Sequence, residues 1–153
     1  MSLSPVETLL AVHECTALMH EYGYRFDHGA GVTVADLFVE DGEWSSPAVT
    51  CRGRDELIAF FRLRDEMTDR MTRHVVSNIT VEVRSAERAT ARSIAIEFRG
   101  TRGPDGLAAE TSPALVGDYE DEFVRVDGVW RFRRRKVVID FKRSGEVYLR
   151  ASS

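Results

Sequence analysis

The chain has 153 residues, of which 43% are hydrophobic and 30% charged, and a formal net charge of −4. That length suits one domain with a real core and is short for two domains with a linker, while the acidic balance excludes a general attraction for nucleic acid or for an anionic membrane. Cys15 and Cys51 stand without metal-ligand spacing or a disulfide framework, no secretory pattern opens the chain, and no apolar run approaches the roughly 18 residues of a membrane span, so a cytoplasmic protein is expected.

From Pro5 to about Tyr24 the apolar residues Val6, Leu9, Leu10, Val12, Ala17 and Met19 recur largely at three- and four-residue intervals, with Ser4 and Pro5 set as a helix start. An amphipathic helix is predicted, ending near Gly29 and Gly31. Tyr22, Tyr24, Phe26 and Asp27 fall in its last turns or just after, an aromatic-rich end with one carboxylate that suits a pocket rim as well as plain core packing. Val32 to Val39 can make a short second helix. The acidic turn Glu40-Asp41-Gly42 then leads into Glu43-Trp44-Ser45-Ser46, a short strand that Pro47 stops. After Gly53, Arg54 to Asp69 reads as a third helix, with Leu57, Ile58, Phe60, Phe61 and Leu63 on one side and Arg62, Arg64, Asp65 and Glu66 as a solvated face.

Four strand-like segments follow: His74 to Arg84, Thr90 to Arg99, Ala114 to Val126 and Val129 to Phe141. Short connections, including the hairpin signal Asp127-Gly128, predict an antiparallel meander in sequence order, with Gly100 to Pro113 as one longer loop. Helices first and strands last make an α+β domain, a curved antiparallel sheet with three N-terminal helices on its concave face. The domain is expected over residues 1–143, with 144–153 as a tail that can hold a short strand at Val147 to Leu149.

The stretch Arg70 to Val83, RMTRHVVSNITVEV, turns from a polar surface into a long strand at His74. Strict alternation puts His74, Val76 and Asn78 on one face, and Val75, Ser77, Ile79, Val81 and Val83 on the other. A lone histidine on such a wall is more often a hydrogen-bonded core residue than a catalyst; a partner carboxylate would reverse that preference.

The element order, together with YGYRFDHG, GEW, GRDELIAFF, RHVVSNI and GDYEDEFVRVDGVWRFRRRKV, resembles the SnoaL-like branch of the nuclear-transport-factor-2-like superfamily over almost the whole chain. The resemblance implies a cone-shaped fold around an internal pocket. It is greatest to scytalone dehydratase, hexachlorocyclohexane dehydrochlorinase and bile-acid 7α-dehydratase, which share an Asp–His dyad that Asp27 and His74 match by position. Tyr22 resembles the tyrosine of the bile-acid enzyme, where the dehydrochlorinase has a lysine, which argues against halide elimination. Arg135 lines up with a pocket arginine and Trp44 with a pocket tryptophan of the dehydrochlorinase. No counterpart exists for the second pocket histidine of scytalone dehydratase, since His13, His20 and His28 all precede or sit at the helix end.

These residues imply a cofactor-independent lyase, most simply a dehydratase, with His74 as base, Asp27 orienting it, Tyr22 assisting departure of a hydroxyl and Arg135 or Asn78 holding an oxygen anion. Tyr24, Trp44, Asn78 and Tyr119 are the expected pocket walls, around an alicyclic, aromatic or steroid-like compound. In the run Arg131, Arg133, Arg134, Arg135, Lys136, alternation lets only some side chains face inward, and a bulge would decide between Arg133 and Arg135. No metal or organic cofactor is implied. The alternatives are an isomerase or polyketide cyclase, a small-molecule-binding protein, or a module like the small subunit of ring-hydroxylating oxygenases; the resemblance further implies a homodimer or homotrimer through the outer sheet surface.

Overall fold

The structure, a computed structural model, describes residues 3–109 and 112–147. Its first element is α1 (Pro5–Asp27), opened by a reciprocal cap in which the Ser4 backbone N–H donates to Glu7 at 2.7 Å and the Glu7 N–H donates to Ser4 Oγ at 3.2 Å. The buried stripe of α1 is Ala11, Cys15, Met19, Tyr22, Gly23 and Phe26. Of the apolar residues that suggested the helix, only Met19 belongs to it; Val6, Leu9 and Leu10 are exposed, because the helix leans on the sheet only from about Ala11 onward.

The expected second helix is a 3₁₀ turn (Gly31–Leu37), and the strand predicted at Glu43 begins five residues earlier, as β1 (Phe38–Ser46). The chain between was hard to read because β1 changes register against its neighbour between Phe38 and Glu43, so the acidic turn is an irregularity inside a strand rather than a break. After β2 (Val49–Arg52) comes α2 (Gly53–Asp65), four residues shorter at its end than expected. Its Leu57, Phe60 and Phe61 are buried, and so is Arg64, at 4% exposure. That corrects the solvated face expected there: Arg64 folds inward to donate to the carbonyls of Met67 and Arg70 and to Thr72 Oγ1, at 3.3, 3.2 and 3.3 Å.

The four long strands are β3 (Arg70–Ser85), β4 (Arg88–Thr101), β5 (Leu115–Val126) and β6 (Val129–Lys142). They form the predicted meander, with Asp127 and Gly128 at φ 51° and 79° in a tight left-handed hairpin turn. The six-stranded sheet has the order β2-β1-β6-β5-β4-β3, and β1 joins β6 in parallel, so the sheet is mixed rather than purely antiparallel. Helix α1 touches both β3 at one edge and β6, three positions away in that order. One helix can reach both only if the sheet curves around it, which makes the concave face the place where the core and any pocket must lie.

Three irregularities decide which side chains face inward. In β3 the pairing with β4 shifts between Ser77 and Thr80, with Asn78 at φ 52°. Beyond that bulge the parity flips, so Ile79, Val81 and Val83 pack against the core on the face that carries His74, contrary to strict alternation. In β6 the partners of Glu122 and Phe123 are Arg134 and Phe132, which leaves Arg133 as the extra residue and turns Arg135 inward. A third shift lies at Val116 and Gly117. Among the described residues no helix is long and apolar enough to cross a membrane. The short strand expected at 147–149 falls mostly outside the described residues, and Val147 itself has no regular structure.

Candidate active site

The last turn of α1 packs on the start of β3 at Gly23, where a Cβ would stand 3.4 Å from the Cβ of His74. One turn later Asp27 ends the helix, with its carboxylate against β3. Oδ2 accepts the backbone N–H of His74 at 2.6 Å, and Oδ1 accepts Thr72 Oγ1 at 2.9 Å and lies 2.6 Å from His74 Nδ1. Asp27 and His74, expected as partners, are thus in contact, with side chains 4% and 6% exposed. Burial acts to raise the Asp27 pKa, but the interactions with His74 and the Thr72 hydroxyl outweigh it and hold the carboxyl below its usual range. An ionised carboxylate can only accept, so Nδ1 carries the shared proton and the neutral ring keeps its lone pair on Nε2.

His74 lines a cavity of about 70 Å³ together with Tyr22 and Phe26 of α1, Trp44 of β1, Phe60 of α2 and Tyr119 of β5. That is well below the roughly 300–1,000 Å³ of drug-sized ligand sites. The multi-ring substrate suggested by the sequence therefore does not fit the cavity as it stands, and any compound of that size enters only if the walls move.

Tyr22 is 2% exposed, with the rings of Phe61, Tyr119 and Phe132 set edge-to-face around it at centroid distances of 6.2, 6.0 and 6.1 Å. Indole nitrogen only donates, so the 2.9 Å contact from Trp44 Nε1 makes the Tyr22 oxygen an acceptor and leaves its own O–H to be given elsewhere. Burial pushes the Tyr22 hydroxyl well above its ordinary pKa, with Arg135 and Trp44 opposing only in part. It is a protonated donor at neutral pH. Burial does the same to Tyr119.

Arg135 is fully buried. Its fork donates to Asp121 at 2.8 and 2.7 Å, and its guanidinium carbon lies 4.2, 4.1 and 4.4 Å from the rings of Tyr22, Tyr119 and Phe132. It stands behind the two tyrosines and is not part of the cavity wall. Arg133 points outward, paired with Asp41. Two further expected wall residues are elsewhere: Tyr24 is 63% exposed and stacks on His28, since it lies around the helix from Tyr22, and Asn78 is turned out by the bulge it forms.

Glu97 and Arg99 line the cavity and were not singled out from the sequence. Glu97 is the direct register partner of His74, which places their side chains on the same face of the sheet, and the Arg99 fork holds it at 2.9 and 2.8 Å. A signal existed: inward positions of β4 run Ala89, Ala91, Ser93, Ala95, all small and buried, and then reach a carboxylate. A charged residue at the end of such a row has to have a partner or a task.

A protein-family model described as a SnoaL-like domain matches residues 7–136. Among solved structures, a candidate scytalone dehydratase from Novosphingobium aromaticivorans aligns with 28% identity over 96% of this chain and 95% of its own, with a TM-score of 0.81. A hexachlorocyclohexane dehydrochlorinase (LinA) type 2 aligns with 17% identity over 95% and 97% of the two chains at a TM-score of 0.76. The beta subunit of a candidate aromatic-ring-hydroxylating dioxygenase from N. aromaticivorans aligns with 19% identity over 89% and 93%, at 0.75. The last two likenesses are of fold. No curated protein matches the sequence.

Proposed function

The chain belongs to the SnoaL-like domain family, and from that membership we propose a cofactor-independent lyase of the dehydratase kind acting on a small, largely hydrophobic molecule. The observation that carries this reading is the 2.6 Å contact between His74 Nδ1 and Asp27 Oδ1 at the wall of a cavity. The candidate scytalone dehydratase and the dehydrochlorinase are both named for eliminations, which supports the same class of reaction here.

In this reading Nε2 of His74 removes a proton from carbon, the bonding pair becomes the new double bond, and the hydroxyl on the neighbouring carbon leaves as water with the proton of Tyr22. The imidazolium returns a proton to Tyr22 through the cavity, so the site ends as it began. Asp27 fixes the tautomer and steadies the cation, and Trp44 aims the Tyr22 hydroxyl. Arg135 acts as a positioning residue: its charge against both tyrosine rings and its fork to Asp121 hold Tyr22 in place.

The test is turnover of small cyclic β-hydroxy ketones, followed by the absorbance of the conjugated product. His74→Ala should lower kcat/KM by roughly 10² to 10⁴, the range of a positioned general base, and Asp27→Asn should lower kcat with little change in KM. A folded His74→Ala protein that turns over at the wild-type rate would end this proposal.

A further inference from the structure

Elimination from a β-hydroxy ketone passes through an oxygen anion, and that anion needs a donor. As His74 Nε2 takes the proton beside the carbonyl, the C–H pair becomes an enolate double bond and the carbonyl pair moves onto oxygen. Arg135 stands behind the wall and Asn78 is turned away from it, so neither of the groups expected for the task is in reach.

Most donors on the wall are committed. Trp44 Nε1 donates to Tyr22, and the Arg99 fork is taken up by Glu97, Glu146 and the Val147 carbonyl. The Ser46 hydroxyl, half-buried at the end of β1, accepts the Ala48 N–H at 3.3 Å. Tyr119 is different. Its hydroxyl makes no hydrogen bond among the described residues, yet it is not one of the buried atoms left without a partner. It therefore has open space before it, and the cavity is the space that Tyr119 lines. Between Tyr119 and Glu97 the paired strands carry Ala95 and Gly117, register partners with one side-chain carbon and none, so that space stays unfilled.

We propose that Tyr119 is a further catalytic residue, whose O–H donates to the substrate's carbonyl oxygen and holds it as it becomes an enolate. The carbonyl re-forms as the hydroxyl leaves with the Tyr22 proton, so Tyr119 ends the cycle with its own proton. At 3% exposure the donor works where water does not compete for the anion. The Arg135 guanidinium, 4.1 Å from the centre of the Tyr119 ring, draws on its electrons and strengthens that donor. The two phenols differ in their surroundings. Trp44 donates to Tyr22, which eases loss of its proton, whereas burial holds Tyr119 well above its ordinary pKa, with Arg135 opposing only in part. One phenol gives a proton and the other keeps it. The inference rests on the dehydratase reading and names its substrate class: molecules whose acidic C–H lies beside a ketone or aldehyde carbonyl.

The probe is cyclopentanone, a ring ketone with no hydroxyl to lose, and the reading is the infrared carbonyl stretch of the bound molecule. The stretch should lie at lower frequency in the wild type than in Tyr119→Phe, which removes the donor and keeps the ring, while Tyr22→Phe and Ser46→Ala should keep the wild-type frequency. In turnover of a cyclic β-hydroxy ketone, Tyr119→Phe should lower kcat by roughly 10² to 10³ with little change in KM, the range for loss of one donor to an oxyanion. An identical stretch in the wild type and folded Tyr119→Phe, or one that moves with Ser46→Ala instead, would overturn the assignment. Should Tyr119→Phe fail to fold, the Cζ resonance of Tyr119 in wild-type protein labelled with ¹³C-tyrosine decides: it should move on addition of cyclopentanone, and a fixed resonance overturns the assignment as well. The infrared reading needs no turnover, so a dyad that fails its own test and a carbonyl donor that is absent give different results.

Discussion

Asp27 collects three donors on one carboxylate: the His74 ring, the His74 backbone N–H and the Thr72 hydroxyl. The backbone bond matters as much as the ring bond, because it ties the imidazole's own main chain to the helix that supplies the acid. A carboxyl held below its usual pKa stabilises the fold above the pKa of the unfolded chain, near 4, and that contribution fades as pH falls through the lower folded value. Asp27→Asn should therefore cost about 1–3 kcal/mol at neutral pH, and the gap between wild type and variant should close as pH drops below about 4. Urea denaturation at pH 7 and pH 3 measures it; a gap of constant size would mean that Asp27 ionisation adds nothing to stability. Cys15 and Cys51, by contrast, are buried thiols whose pKa is pushed up to about 12 and about 11 by burial, which keeps them inert.

Glycines set how closely elements can meet. At Gly23 a Cβ would meet the Cβ of His74 at 3.4 Å, an ordinary contact. Gly117 is the stricter case. A Cβ there would fall 1.9 Å from the carbonyl oxygen of Val138, on the strand paired with it. That oxygen is backbone and cannot swing aside, so Gly117→Ala has to shift β6 against β5. The cost should exceed about 2 kcal/mol, read as a lower denaturation midpoint, and a midpoint equal to that of the wild type would show that the strands part freely there. The displacement would also reach the site, because the neighbouring residues Val137 and Ile139 of β6 line the cavity.

At the scale of the whole molecule, the sheet has an outer face as well as the concave one. Val75, Ile96, Val116 and Phe141 are successive register partners across β3, β4, β5 and β6, forming one apolar row. Val75 is 47% and Phe141 70% exposed. Self-association through this row is the form that the expected homodimer or homotrimer would take, since burying it removes apolar surface from water without disturbing the cavity. Phe141→Glu paired with Val75→Glu should yield a monomer in sedimentation at concentrations where the wild type associates, with the fold kept; unchanged association would place the interface elsewhere.

Local chemistry alone determined a good deal. The helix start at Ser4 and Pro5, the Asp127-Gly128 turn and the pairing of four strands in sequence order each depend on residues close in sequence, and each stands where the sequence put it. The family likeness belongs with these, since order and spacing of such segments carry it. Three things were decided only by packing at long range. The bulges at Asn78 and Arg133 reversed strand parity, sending Asn78 out and Arg135 in, and a one-residue slip has no signature in a period-two pattern. The parallel joining of β1 to β6 depends on a curvature that no single strand encodes. The meeting of Glu97 and Arg99 beside His74 is a matter of register between strands, so the charges at the cavity wall became visible only once the sheet was folded.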